Sequence, residues 1–172
     1  MRRESGFTLV ELLVVVAVVG IISAMAIPGL ISARAASNES AAIASLRTIS
    51  NAQVMYSNAC ANGSFTASLP VLAVPPPLSS SAFLPPDMTT GVIVEKSGYR
   101  FQLAPSLDAE AGVADCNGSP TWSGFYARGE PITYGTSGHR SFATLSPTNV
   151  IWQNYTDTAP AEPFASPSFP VQ

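Results

Sequence analysis

One block near the N-terminus constrains this chain more than anything else in it. From Phe7 to Ile27 the residues run Phe-Thr-Leu-Val-Glu-Leu-Leu-Val-Val-Val-Ala-Val-Val-Gly-Ile-Ile-Ser-Ala-Met-Ala-Ile, with Glu11 the single charge. As a helix this stretch measures about 32 Å at 1.5 Å per residue, a match for a hydrocarbon core of roughly 30 Å. The segment is therefore expected to enter a membrane. Arg2 and Arg3 precede it, so the excess of positive charge predicts a cytoplasmic N-terminus and an external remainder.

Three readings compete for the block. An ordinary secretory signal has basic residues, a shorter apolar stretch and a small-residue cleavage site, and Ala24-Met25-Ala26 supplies such a site. A plain membrane anchor is the second reading. Neither accounts for Glu11, because a carboxylate at the centre of a spanning helix costs about 2.5–3.5 kcal/mol. Residues of this kind are functional candidates by default.

The third reading gives Glu11 a purpose. The stretch Gly6-Phe7-Thr8-Leu9-Val10-Glu11 resembles the prepilin cleavage and methylation motif of type IV pilins and type II secretion pseudopilins. The resemblance implies a membrane peptidase, prepilin peptidase, that cuts between Gly6 and Phe7 on the cytoplasmic side. It further implies N-methylation of Phe7 and retention of the apolar helix. Glu11 matches the family's glutamate, and Gly20 and Pro28 stand where the family has a glycine and a helix-bending proline. The implied partners are other copies of the subunit in a helical filament, an inner-membrane assembly platform, and lipid before assembly. The implied location is the bacterial inner membrane, then an extracellular pilus or a periplasmic pseudopilus. A structural subunit of a type IV pilus is the leading function. A secretion pseudopilin is the alternative, and an exported binding protein or enzyme with an N-terminal signal stands third.

The chemistry explains the spacing. Cleavage creates a positive amine at Phe7, one helical turn from Glu11. Within one subunit that amine offsets part of the cost of burying the carboxylate. Between subunits, the pair would fix the axial register of two otherwise featureless apolar helices, as a buried polar residue does in coiled coils. Gly20 permits close helix approach in lipid. Pro28, followed by Gly29, is expected to kink the helix because it lacks an amide hydrogen and clashes with the preceding turn.

Beyond Pro28 the chain stays helical in character and becomes amphipathic. Ile43, Leu46, Ile49 or Ser50, Gln53 and Tyr56 recur at spacings of three and four, and no Gly or Pro falls between Ala33 and Cys60. One helix from Phe7 to about Cys60 is the expectation, ended by Asn62-Gly63. Residues 66–90 contain six prolines, which suits an extended loop rather than a core element. Val92–Glu95 and Tyr99–Leu103, joined by Lys96-Ser97-Gly98, read as a hairpin with Tyr99, Phe101 and Leu103 on one face. Further strands are expected near Gly124–Arg128, Arg140–Leu145 and Asn149–Gln153. The fold class is α+β, a long N-terminal helix packed against a small antiparallel sheet. It divides into leader 1–6, apolar helix 7–28, amphipathic helix 29–60, β-rich head 61–157 and a Pro-rich tail 158–172, the last expected to be poorly ordered.

Composition narrows the function further. Only 11% of residues are charged, the net charge is −3, and the arginines after Arg3 are scattered, so no nucleic-acid footprint is indicated. Cys60 and Cys116 form a disulfide if the head is exported; otherwise they are buried thiols. The sole histidine, His139, reads as a surface-loop residue, with no local catalytic signature around it. Asp108, Glu110 and Asp115 offer oxygen ligands for Ca²⁺, but lack an EF-hand pattern and read as solvated loop carboxylates. No metal or other cofactor is expected, and the chain is not read as an enzyme. Asn38, Asn62, Asn117 and Asn154 each begin an N-x-S/T tripeptide, which chance accounts for in a chain this rich in Ser and Thr.

Overall fold

The computed structural model describes residues 6–77 and 79–171. Residues 1–5, most of the expected leader, lie outside the described residues. The chain divides into two units between Arg34 and Ala35. A single helix, α1 (Leu9–Ala59), contributes to both.

In the first unit every described residue is exposed. The run of Val and Ile is poorly suited to an isolated helix in water, because β-branched side chains lose rotamer freedom there. In lipid a helix is the way for one segment to satisfy all its own backbone groups. This part of α1 is long and apolar enough to cross a membrane. The helix continues through Pro28, where Ser32 Oγ donates to the Pro28 carbonyl at 3.2 Å.

The second unit is built from the rest of α1 and a six-stranded antiparallel meander in the order β1-β2-β3-β4-β5-β6. The strands are β1 (Ile93–Lys96), β2 (Tyr99–Pro105), β3 (Phe125–Pro131), β4 (Ser141–Leu145), β5 (Ile151–Asn154) and β6 (Phe169–Pro170). Ala42, Leu46, Ile49, Ala52 and Tyr56 supply the helix side of the core, at the spacing of one helix face. Tyr99, Phe101 and Leu103 of β2, Phe125 and Ala127 of β3 and Phe142 of β4 supply the sheet side. Gly129 lies opposite Phe101 across β2 and β3, and a Cβ there would come within 3.0 Å of the Phe101 ring and 3.6 Å of Leu46. The α+β architecture is thus as the sequence predicts. So are α1, all five expected strands to within a few residues, and the buried face of β2.

Three details differ. The β1–β2 turn is Ser97-Gly98 alone, with φ of 49° and 75°, and Lys96 pairs with Tyr99 inside the ladder. Two consecutive positive-φ residues give the twist that suits a two-residue hairpin. The proline-rich stretch is not merely an external loop. It forms two short 3₁₀ turns, Leu69–Ala73 and Pro86–Met88, and buries Leu69, Leu72, Leu84 and Met88 completely in the core. Prolines suit the first positions of such turns, where no amide hydrogen is required. The tail is ordered against the sheet. Val171 N–H donates to the Ile151 carbonyl, Tyr126 Oη to the Pro160 carbonyl at 2.6 Å, and Phe164 packs on Trp152 at 5.2 Å between ring centroids.

Candidate functional site

At the N-terminus, Gly6, Phe7 and Thr8 precede α1 in irregular backbone, and Phe7 is 81% exposed. Gly6 and Phe7 are both exposed, outside regular structure. Thr8 stands immediately before the first helical residue, and Glu11 three residues later. Glu11 Oε2 accepts from Thr8 Oγ1 at 2.8 Å and from Thr8 N–H at 3.1 Å, while Glu11 N–H donates to Thr8 Oγ1 at 3.3 Å. This reciprocal arrangement is a capping box, which satisfies amides left without partners at a helix start. The negative charge also lies at the positive end of the helix dipole. The sequence reading paired Glu11 with an amine and missed Thr8, although Thr8-Leu9-Val10-Glu11 carries the T-x-x-E signature. None of these contacts uses the leader, so the box is available to a chain that starts at Phe7.

At the far end of α1, Cys60 and Cys116 form a disulfide with Cα atoms 4.9 Å apart. The chain leaves the helix with Cys60 and Ala61 N–H both donating to the Tyr56 carbonyl, and Asn62 and Gly63 adopt φ of 49° and 89°. Left-handed residues here let Gly63 N–H reach back to the Ser57 carbonyl, which closes the helix end. Tyr56 Oη donates to buried Asp115 at 2.8 Å. Burial, then the Asp115 carboxylate, pushes the tyrosine hydroxyl well above its ordinary pKa.

Asp115 is not a free ligand. Its other oxygen accepts Asn117 and Ser119 amides at 2.9 and 2.7 Å, so it holds its own turn together. Asp108 and Glu110 are exposed loop residues, and no group of three His, Cys, Asp or Glu among the described residues could hold a metal ion. His139 is exposed, with its ring edge-on to Tyr134. Of the four N-x-S/T asparagines, Asn154 is buried, Asn38 is tied to the Ser137 carbonyl at 2.9 Å, and Asn62 and Asn117 are exposed.

A second group escaped the sequence reading. Glu39 on α1 is buried and accepts His139 N–H at 2.7 Å and Arg140 Nε at 2.8 Å; Arg140 Nη2 is 2.7 Å from the same carboxylate. Arg140 also donates to Gln153 at 2.7 Å and lies over the Phe142 ring. A two-pronged guanidinium–carboxylate contact is directional, so it fixes α1 against the start of β4 within the second unit. Nothing local in the sequence announces it, because the two residues are 101 positions apart.

Comparison with known proteins agrees with the chemistry of the N-terminus. Residues 1–27 match the model of the prokaryotic N-terminal methylation motif. The chain is 43% identical over 56 residues to the type IV wide pilus major component PilA4 of Thermus thermophilus, covering 33% of this chain and 43% of that protein. It is 47% identical over 54 residues to the type IV major pilin protein PilA of Myxococcus xanthus, covering 31% and 24% of the two chains. It is 34% identical over 55 residues to the type II secretion system core protein G of Aeromonas hydrophila, covering 32% and 38%. The matches thus span less than half the length of these relatives. No solved structure matches. About a third of the chain is thus similar to type IV pilins and to a type II secretion protein.

Proposed function

We propose that this protein is a structural subunit of a type IV pilus filament. On this reading prepilin peptidase cuts between Gly6 and Phe7, and Phe7 is N-methylated. The helix then holds the subunit in the inner membrane, N-terminus toward the cytoplasm, until an assembly platform adds it to the filament. The observation that carries the proposal is the coincidence of an accessible Gly6–Phe7 junction, an embedded Glu11 and a fully exposed apolar helix. Apolar surface on that scale must be covered, by lipid first and by neighbouring subunits afterwards. Glu11 supplies the register by pairing with the Phe7 amine of a neighbour, and Pro28, which lacks an amide hydrogen, loosens the helix locally. The subunit's role is mechanical rather than enzymatic.

The likeness to the Aeromonas secretion protein favours a second reading, a pseudopilin of a type II secretion system. The N-terminal chemistry is shared, so the destination of the filament decides. The test is intact-mass analysis of membrane and sheared-surface fractions from the native host. Material starting at methylated Phe7 in both fractions is expected for a pilus. The same mature form confined to the cell envelope would support the pseudopilin. A mature start at Ile27 would return the block to an ordinary signal peptide and overturn both.

A further inference from the structure

Among the described residues of the second unit, four of the five Lys and Arg side chains lie in ion pairs. Lys96 pairs with Asp87, Arg100 with Glu95, Arg128 with Glu130 and Arg140 with Glu39. Among the described residues of this unit, Arg47 is the Lys or Arg left over, and it is exposed on α1. It lies in the stripe Ala44, Arg47, Asn51, Val54, Met55 and Asn58, all exposed. Val54 and Met55 are 40% and 57% exposed. A helix face left in water normally carries several charges; this one carries Arg47 alone, beside two uncovered apolar side chains.

The unmatched acids lie elsewhere. Glu162 accepts the Leu107 amide, and Asp115 is occupied inside its turn. Asp157 follows β5, whose Gln153 contacts the Arg140 that grips Glu39, so it sits at the Glu39 end of the head. Asp108 and Glu110 are exposed in the β2–β3 connection, with no ion-pair partner among the described residues. That connection sits at the opposite end. Strand β2 begins beside Asn38, which Gly98 approaches closely, and the connection that follows Pro105 is bonded through Cys116 to Cys60. Arg47 and Cys60 are about 20 Å apart along the helix at 1.5 Å per residue.

We infer that the Arg47 face of α1 docks on the Asp108–Glu110 connection of a second copy of this chain, head to tail. The inference rests on the filament reading and names the surfaces that the heads use. Complementary charges displaced along one axis cannot meet within a subunit. Between subunits they form a contact of two different surfaces, which repeats without closing and so builds a filament. The ion pair supplies orientation, and Val54 and Met55 supply apolar area beside it.

Charge exchange in the full-length chain tests this, read as sheared filament per cell. Leader removal and the Cys60–Cys116 disulfide are checked in every variant. Arg47→Glu is expected to lower filament yield about tenfold, because like charges facing across an interface are strongly disfavoured. Asp108→Arg with Glu110→Arg should do the same, and all three changes together should restore most of the yield. Arg47→Gln should fall between. Normal filaments from Arg47→Glu, or no recovery in the triple variant, would overturn the docking. Absence of filaments from the unaltered chain would instead bring down the filament reading itself.

Discussion

Val18 and Leu46 stand on the same helix, yet the first is 50% exposed and the second fully buried. The difference holds for the units around them. Before Ala35 every described residue is exposed. After it α1 lays one face against the sheet and every large aromatic of that face is covered. By hydrogen bonding α1 is one element; by environment it is two. The first needs lipid or neighbours, whereas the second carries its own core.

That contrast can be broken most sharply at Glu11. Glu11→Ala should abolish incorporation into filaments while leaving leader cleavage, export and head stability unchanged. It removes a carboxylate that costs up to about 3 kcal/mol in lipid, so the mature subunit should accumulate in the membrane. Comparing sheared and membrane fractions checks it, and normal filaments would make the amine pairing dispensable. The converse change lies in the head. Cys60→Ser with Cys116→Ser should destabilise the second unit by about 4 kcal/mol, the loop-closure value for a loop this long. Thermal unfolding of the detergent-held protein should register the loss, with the membrane-held helix unaffected.

A smaller effect is expected from Glu39→Ala, about 3 kcal/mol, because Arg140 would stay half-covered without its carboxylate. Glu39→Gln should recover part of it, and denaturant titration followed by Trp122 and Trp152 fluorescence would measure both. The smallest effect sharpens the comparison at the other end. Thr8→Val removes the hydroxyl of the capping box and should loosen the first turn of α1 by about 1 kcal/mol. Faster amide exchange at residues 9–12 in micelles, with no change in the head, is the expected signature.

Much of this was legible in the residues. Apolar length and an embedded acid marked the first unit, and period-two alternation in Tyr99, Phe101 and Leu103 marked the sheet. What escaped has physical causes. The Glu39–Arg140 grip joins positions far apart in sequence, and periodicity does not report such pairs. Leu69, Leu72, Leu84 and Met88 enter the core from a stretch whose prolines signal irregular backbone; irregular backbone can still carry buried side chains. The tail differs from its expectation for the same reason, since its ordering comes from Phe164 and Val171 meeting a sheet surface that no local pattern describes. The Thr8 signature is local but lies inside the apolar run, where the charge of Glu11 dominates the pattern and hides the helix start.

The docked tail has a consequence for crowding. A six-stranded meander has two borders, and each offers unsatisfied backbone groups to any strand that approaches. On one border β6 covers β5 with Phe169 and Pro170, and proline has no amide hydrogen to extend the ladder further. On the other, β1 carries Glu95 and Lys96, whose charges oppose a hydrophobic strand coming alongside. Heads with borders sealed in this way can be held side by side at very high local density without their sheets fusing.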